Sequence, residues 1–138
     1  MKKRGTSKSL KLKILVVILV ILILMLLGVF LYDKIIARRM TAELTAAVSQ
    51  FHKGEYVYID GHRVIGTIQI DRLEFEYPII LYTGDESLNI AICKYPGPDI
   101  NELGNVSLLG HNMRTGILFG RLHQLSIGDI VVLTNSRR

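Results

Sequence analysis

Cysteine is nearly missing from this 138-residue sequence, where Cys93 stands alone. An internal disulfide and a multi-cysteine zinc site are excluded. Acidic residues are missing from the first 13 positions, where Lys2, Lys3, Arg4, Lys8, Lys11 and Lys13 supply six cations. The other 125 residues hold 11 cations against 12 acids, so the formal net charge of +5 belongs to a short arm and not to a folded surface. That argues against nucleic-acid binding, which needs basic groups spread over a folded face. Internal repeats and low-complexity tracts are absent. His52, His62 and His123 are scattered without the spacing of metal ligands. Asp85, Glu86, Asp99 and Glu102 read as solvated loop carboxylates, with no dense oxygen-ligand loop for calcium. No metal and no cofactor is expected.

Charge is also missing from Ile14 to Leu31, an 18-residue run interrupted only by Gly28. As a helix it reaches roughly 27 Å, close to the thickness of a bilayer core. It is longer than the apolar part of a cleaved signal peptide, and Tyr32-Asp33-Lys34-Ile35-Ile36 offers no small-residue cleavage site. It also lacks the polar stripe of a soluble core helix. The reading is a retained anchor across a lipid bilayer. Six cations precede it, against Lys34, Arg38 and Arg39 after it, so the N-terminus is expected inside the cell and the C-terminal part outside. The expected organisation is a basic cytoplasmic arm at 1–13, a transmembrane signal-anchor at 14–31, a juxtamembrane helix and linker at 32–63, and a β domain at 64–138.

Ile36 to Phe51 contains helix formers and no Gly or Pro, and is read as a stalk. Phe51 to Gly61, with two glycines among polar residues and tyrosines, is read as a linker. From Val64 the period shortens. Ile68 and Ile70 alternate with Thr67 and Gln69, as in a half-buried strand. Asp71-Arg72 suggests a turn. Phe75, Tyr77 and Ile79 continue the alternation, with Pro78 marking an edge or bulge. Asp85 to Ile92 reads as a short helix capped by Asp85 or Ser87. Tyr95 to Pro98 opens a loop. Asn105 to Leu109 and Asp129 to Thr134 read as strands, and Phe119 to Leu125 as one helical turn. The last strand is rich in Val and Ile with nothing after it to pair with, so the fold looks unfinished.

The candidate for chemistry is His111. It follows an apolar strand and Gly110, at the rim of a sheet, and imidazole exchanges protons near neutral pH. Residue type alone favours an ordinary loop histidine. Cys93 lies among apolar neighbours on the expected helix or its exit, and is read as a buried structural thiol rather than a nucleophile. Arg114 and Arg121 are read as facing solvent.

The segment Gly104-Asn105-Val106-Ser107-Leu108-Leu109-Gly110-His111-Asn112-Met113, then Phe119-Gly120-Arg121-Leu122, Leu125 and Gly128-Asp129-Ile130-Val131, resembles the sortases. So do Ile65-Gly66-Thr67-Ile68-Gln69-Ile70, Tyr77-Pro78-Ile79 and Tyr95-Pro96-Gly97. These are cysteine transpeptidases of the Gram-positive cell surface, and the resemblance covers Val64 to Thr134. It implies a mainly β fold, an incomplete sortase-like β-barrel behind an N-terminal transmembrane helix and a short juxtamembrane helix. It implies His111 as the catalytic histidine. The implied partners are surface proteins or pilins carrying an LPxTG-like sorting signal, and an amine acceptor from the cell wall or a pilin. In the family a cysteine in a later TLxTC-like motif forms a thioacyl intermediate, and an arginine after it opposes the oxyanion charge. Neither motif is present here, and Arg137 and Arg138 come too early to be that arginine. The expectation is a chain matching the front half of a sortase, inactive as given and marginally stable where Val106 to Leu109 lacks a neighbour. The alternative is a non-catalytic, membrane-anchored extracellular binding or scaffolding module.

Overall fold

The computed structural model describes residues 6–136. Lys2, Lys3 and Arg4 of the basic arm, and Arg137 and Arg138, lie outside the described residues. Two compact units divide the chain, residues 1–36 and 37–138. The first is helical. Helix α1 runs Thr6–His52, and its stretch from Leu10 is long and apolar enough to cross a membrane, with a mean hydropathy of 3.7 over its most apolar window. The side chains from Leu10 to Ile36 are exposed.

The second unit begins with the last turns of α1. Ala37, Met40, Leu44, Ala47, Val48 and Phe51 lie three, four, three, one and three residues apart, which puts them on one helical face. Leu44, Ala47 and Phe51 join the hydrophobic core, and Ala37 and Met40 pack against it. The stalk expected over Ile36 to Phe51 is therefore a wall of the core. Helix-forming composition had concealed a strongly one-sided distribution of apolar side chains. At its C-terminus His52 Nε2 meets Glu76 Oε1 at 2.6 Å, tying the helix end to the sheet.

Among the described residues six strands follow. They are β1 Tyr58–Ile59, β2 His62–Ile70, β3 Phe75–Leu81, β4 Ile92–Lys94, β5 Leu108–Leu109 and β6 Val132–Asn135. They form one sheet in the order β1-β2-β3-β4-β5, with β6 also paired to β2. The linker expected at Phe51 to Gly61 contains β1. Asp60 (φ 46°) and Gly61 (φ 78°) make the two-residue turn that folds β1 onto β2. The sheet is not closed into a barrel. Among the described residues β5 pairs only with β4, and β6 only with β2.

Strand β2 is covered on both faces from Val64 to Ile68, and Thr67 is buried where alternation predicts an outward residue. β2 bonds β3 along one ladder and β6 along another, with Gly66 opposite both Ile79 and Asn135. A Cβ on Gly66 would stand 2.3 Å from the Thr134 carbonyl oxygen and 2.8 Å from Ile100 Cδ1, so only glycine lets β6 lie this close. The last strand thus finds its partner far back in the chain, and it starts later than expected, at Val132. Pro78 sits inside β3 opposite Thr67, and the irregularity falls on β2, between Val64 and Gly66. The ladder from β3 to β4 begins only at Ile79, one residue past the missing N–H.

Between β3 and β4 the short helix expected over Asp85 to Ile92 is a 3-10 helix, Asp85–Asn89. Gly84 occupies the N-cap position, and neither Asp85 nor Ser87 caps it. Ile92 and Cys93 belong to β4, parallel to β3. A short apolar run beside turn residues does not separate strand from helix by periodicity alone. The turn expected at Asp71-Arg72 is the 3-10 helix Asp71–Leu73, and the one in Phe119 to Leu125 is Leu122–Gln124.

Three stability measurements follow. Leu44→Ala should lower the stability of the second unit by about 3 kcal/mol, as for other buried leucines. Leu24→Ala, in the exposed apolar run, should leave it unchanged. Thr67 Oγ1 is buried without a hydrogen-bond partner among the described residues. Thr67→Val should therefore raise stability by about 1 kcal/mol. Denaturant titrations of the micelle-embedded chain, followed by tyrosine fluorescence, measure all three.

Candidate active site around His111

Two glycines explain the shape of the loop that carries His111. Strand β5 ends at Leu109, and Gly110 follows. A Cβ there would lie 2.8–3.2 Å from three atoms of the Phe119 ring, so the ring packs directly on the backbone. The Phe119 N–H donates to the His111 carbonyl at 3.1 Å, and Asn112 and Leu118 form an antiparallel bridge. At the base of the loop a Cβ on Gly120 would stand 2.2 Å from the Met113 carbonyl oxygen. The Gly-His and Phe-Gly pairs therefore close one tight loop. Leu118 and Ile117 bury inside it, while His111 stays exposed at its mouth.

Beneath the loop lies Tyr77 on β3, its hydroxyl near the Leu118 backbone. Burial pushes the Tyr77 phenol above its ordinary range, against the opposing pull of the Arg121 charge and of that backbone contact. Arg121 is partly covered, its stem against Gly116. Arg114 is exposed.

The imidazole itself meets Asn89, with Nε2 and Oδ1 3.1 Å apart. Asn89 is the last residue of the Asp85–Asn89 helix, and that helix is well held. The Ser87 hydroxyl donates to the Gly84 carbonyl at 2.6 Å, and the Thr83 N–H donates to it at 3.4 Å. The Cys93 thiol donates to the same Ser87 oxygen at 3.4 Å. The Tyr82 hydroxyl donates to Asp85 Oδ1 at 2.8 Å, and this bond to a carboxylate raises the Tyr82 pKa. Asn89 also borders a cavity of about 360 Å³ lined by Met40, Glu43, Leu44, Ile59, Asp60 and Ile90. A cavity of about 420 Å³ lies elsewhere, by His52, Tyr56 and Arg63.

Cys93 is fully buried, and its partners are Ser87 and the Ala91 carbonyl, not His111. Burial raises its thiol pKa, and the Ser87 hydrogen bond only partly offsets that. Both effects of burial, exclusion of substrate and loss of thiolate, count against a nucleophile. The remaining candidates do not converge on His111. His52 bonds Glu76, His62 opens β2, and His123 lies exposed in the Leu122–Gln124 helix. Asp99 and Glu102 accept backbone N–H groups within their own loop. Among the described residues no three His, Cys, Asp or Glu side chains gather as a metal site would require. Asn89 was not foreseen. An asparagine at the end of a short helix carries no sequence signal of its partner, since the contact spans 22 residues.

The family model described as the Sortase domain matches residues 68–138, just over half of the chain. The chain belongs to the sortase family. Among solved structures it is similar to a Clostridium perfringens Sortase D5 transpeptidase, with a TM-score of 0.52 at 18% identity over 72% of this chain and 68% of that one. At that identity the likeness is one of fold. A search of curated proteins gives no match. The matched segment begins within β2, so the α1 wall and β1 lie ahead of it.

The thiol environment yields a direct check. Cys93 should resist an aqueous aromatic disulfide reagent in the folded chain and react fully in denaturant, a contrast of at least about 100-fold in rate given burial and a raised pKa. Absorbance of the released thiolate follows both.

Proposed function

We propose that the chain is the membrane-anchored, outward-facing, histidine-bearing portion of a sortase. Its chemistry is transfer of an acyl group from an LPxTG-like sorting signal to a cell-wall or pilin amine. The observation that carries this reading is an exposed His111 at the end of β5, held in a glycine-shaped loop within the residues that match the Sortase domain. In the reaction a thiolate attacks the threonyl carbonyl and the Thr–Gly bond breaks. The leaving glycine amine takes its proton from the imidazolium. The acceptor amine then attacks the thioester and regenerates the thiol. His111 suits the proton-carrying step because imidazole gives and takes protons near neutral pH. Cys93 does not suit the thiolate step, being buried behind Ser87. Turnover therefore needs a thiol from outside these 138 residues. The apolar run of α1 and the six cations before it support a single-pass anchor with the N-terminus inside.

The test combines an LPxTG-like peptide, an amine and the purified chain. No thioacyl adduct and no transfer product should form by mass spectrometry. The peptide should nonetheless perturb the His111 ring signals in NMR titration. An adduct on Cys93 would overturn the assignment of the thiol. A His111 ring indifferent to peptide would favour the non-catalytic scaffolding module.

A further inference from the structure

Six cations and no acid occupy the first 13 residues. Charges so crowded repel one another unless anions stand near them. The chain supplies none. Its nearest acid is Asp33, on the far side of the apolar run, and the first turn of α1 holds no acidic residue. A distance of roughly 27 Å across that run exceeds the Debye length of about 10 Å at 0.1 M salt. We propose that Lys2, Lys3, Arg4, Lys8, Lys11 and Lys13 form a binding surface for anionic phospholipid headgroups, those whose phosphate is not balanced by an amine. The proposal goes beyond the acyl-transfer reading and rests only on α1 crossing a bilayer.

The depth of these residues fits that partner. Lys8, Lys11 and Lys13 lie within α1, and Lys11 and Lys13 are exposed. At about 1.5 Å per residue, Lys11 stands roughly 4.5 Å and Lys8 roughly 9 Å before Ile14 along the helix axis. The headgroup layer on each side of a hydrocarbon core is about 5–7 Å deep. Lys13 and Lys11 therefore fall at the level of lipid phosphates, and Lys8 just outside it. Leu10 and Leu12 alternate with them and are exposed as well. Apolar contact with acyl chains and charge contact with phosphate thus come from the same turn of helix. A lysine stem can follow the acyl chains while its ammonium stays among the headgroups.

The arrangement about the axis selects the kind of anion. At about 100° per residue, positions 8, 11 and 13 stand about 60°, 160° and 140° apart around the helix. No single anion reaches all three, and a nucleic acid needs its cations on one face. A ring of separate headgroups meets them all. The other end of the apolar run differs. There Lys34, Arg38 and Arg39 are offset by Asp33 and Glu43, and the Lys34 ammonium lies over the Phe30 ring at 5.6 Å. The preference for anionic lipid belongs to the N-terminal end.

Spin-labelled lipids measure it on the full chain in vesicles of phosphatidylcholine holding about a quarter phosphatidylglycerol. Both leaflets are alike, so the direction of insertion does not matter. Labelled phosphatidylglycerol should associate with the chain at least about threefold more strongly than labelled phosphatidylcholine, since each cation near an anionic surface adds attraction. In about 1 M salt the ratio should fall toward one. The combined variant Lys2→Gln, Lys3→Gln, Arg4→Gln, Lys8→Gln, Lys11→Gln and Lys13→Gln should lose the preference, while its immobilised phosphatidylcholine shows that it still spans. The variant Lys34→Gln, Arg38→Gln and Arg39→Gln should keep it. A wild-type ratio near one, a ratio indifferent to salt, or equal loss in the two variants overturns the proposal. So does abolition of the preference by millimolar inorganic phosphate, which would mark a site for the free anion. If the six-site variant does not insert, the wild-type salt series and the second variant decide. No peptide or amine is present, so the result is separate from failure of the acyl-transfer reading.

Discussion

Strand β2 bonds along both of its edges, and the rest of the second unit is arranged around that double commitment. β1 and β6 attach to it, and β3 runs its length. A strand bonded on two sides and covered on two faces leaves no room for bulk where its neighbours converge. Gly66 meets that demand, since the Thr134 carbonyl and Ile100 occupy the place of its missing side chain. Asn135 then fixes the end of β6 by donating to the Ile100 carbonyl at 2.8 Å. The close approach brings the last strand back to the first long one, and so gives an otherwise open sheet its second half.

The site sits at the other end of this sheet order, where β4 and β5 are only three and two residues long. Short strands fix their ends poorly by ladder bonds alone, and other devices take over. Gly110 and Gly120 admit close contacts that pin the His111 loop, and Tyr77 reaches up from β3. The same logic governs the Asp85–Asn89 helix, too short to be stable alone and held by Ser87, Cys93 and Tyr82. Precision at the rim comes from side chains and glycines rather than from regular structure.

How much of this was legible in the sequence varies with the range of the interaction. The apolar run, the alternation in β2 and β3, and the Gly-His segment are local patterns, and the structure and family match bear them out as one long apolar helix, strands and a sortase resemblance. The wall formed by Leu44, Ala47 and Phe51 was legible too, through its helical spacing, but helix-forming composition was weighed instead. The Asp60-Gly61 turn was an overlooked hairpin signal. Thr67 inside, Cys93 on a strand and Pro78 in mid-sheet were not legible. Each depends on neighbours distant in sequence: β6 against β2, β4 against β3, and the late start of the β4 ladder. Within the candidate site, His111 was visible from its surroundings, whereas Asn89 became visible only when folding brought two loops together.

The amide that holds the imidazole bears no net charge. Mobile ions weaken attraction between exposed charges over a Debye length of about 10 Å at 0.1 M salt. They have far less purchase on a neutral amide dipole in direct contact with the ring. With asparagine there, the grip is insulated from brine and dilute water alike.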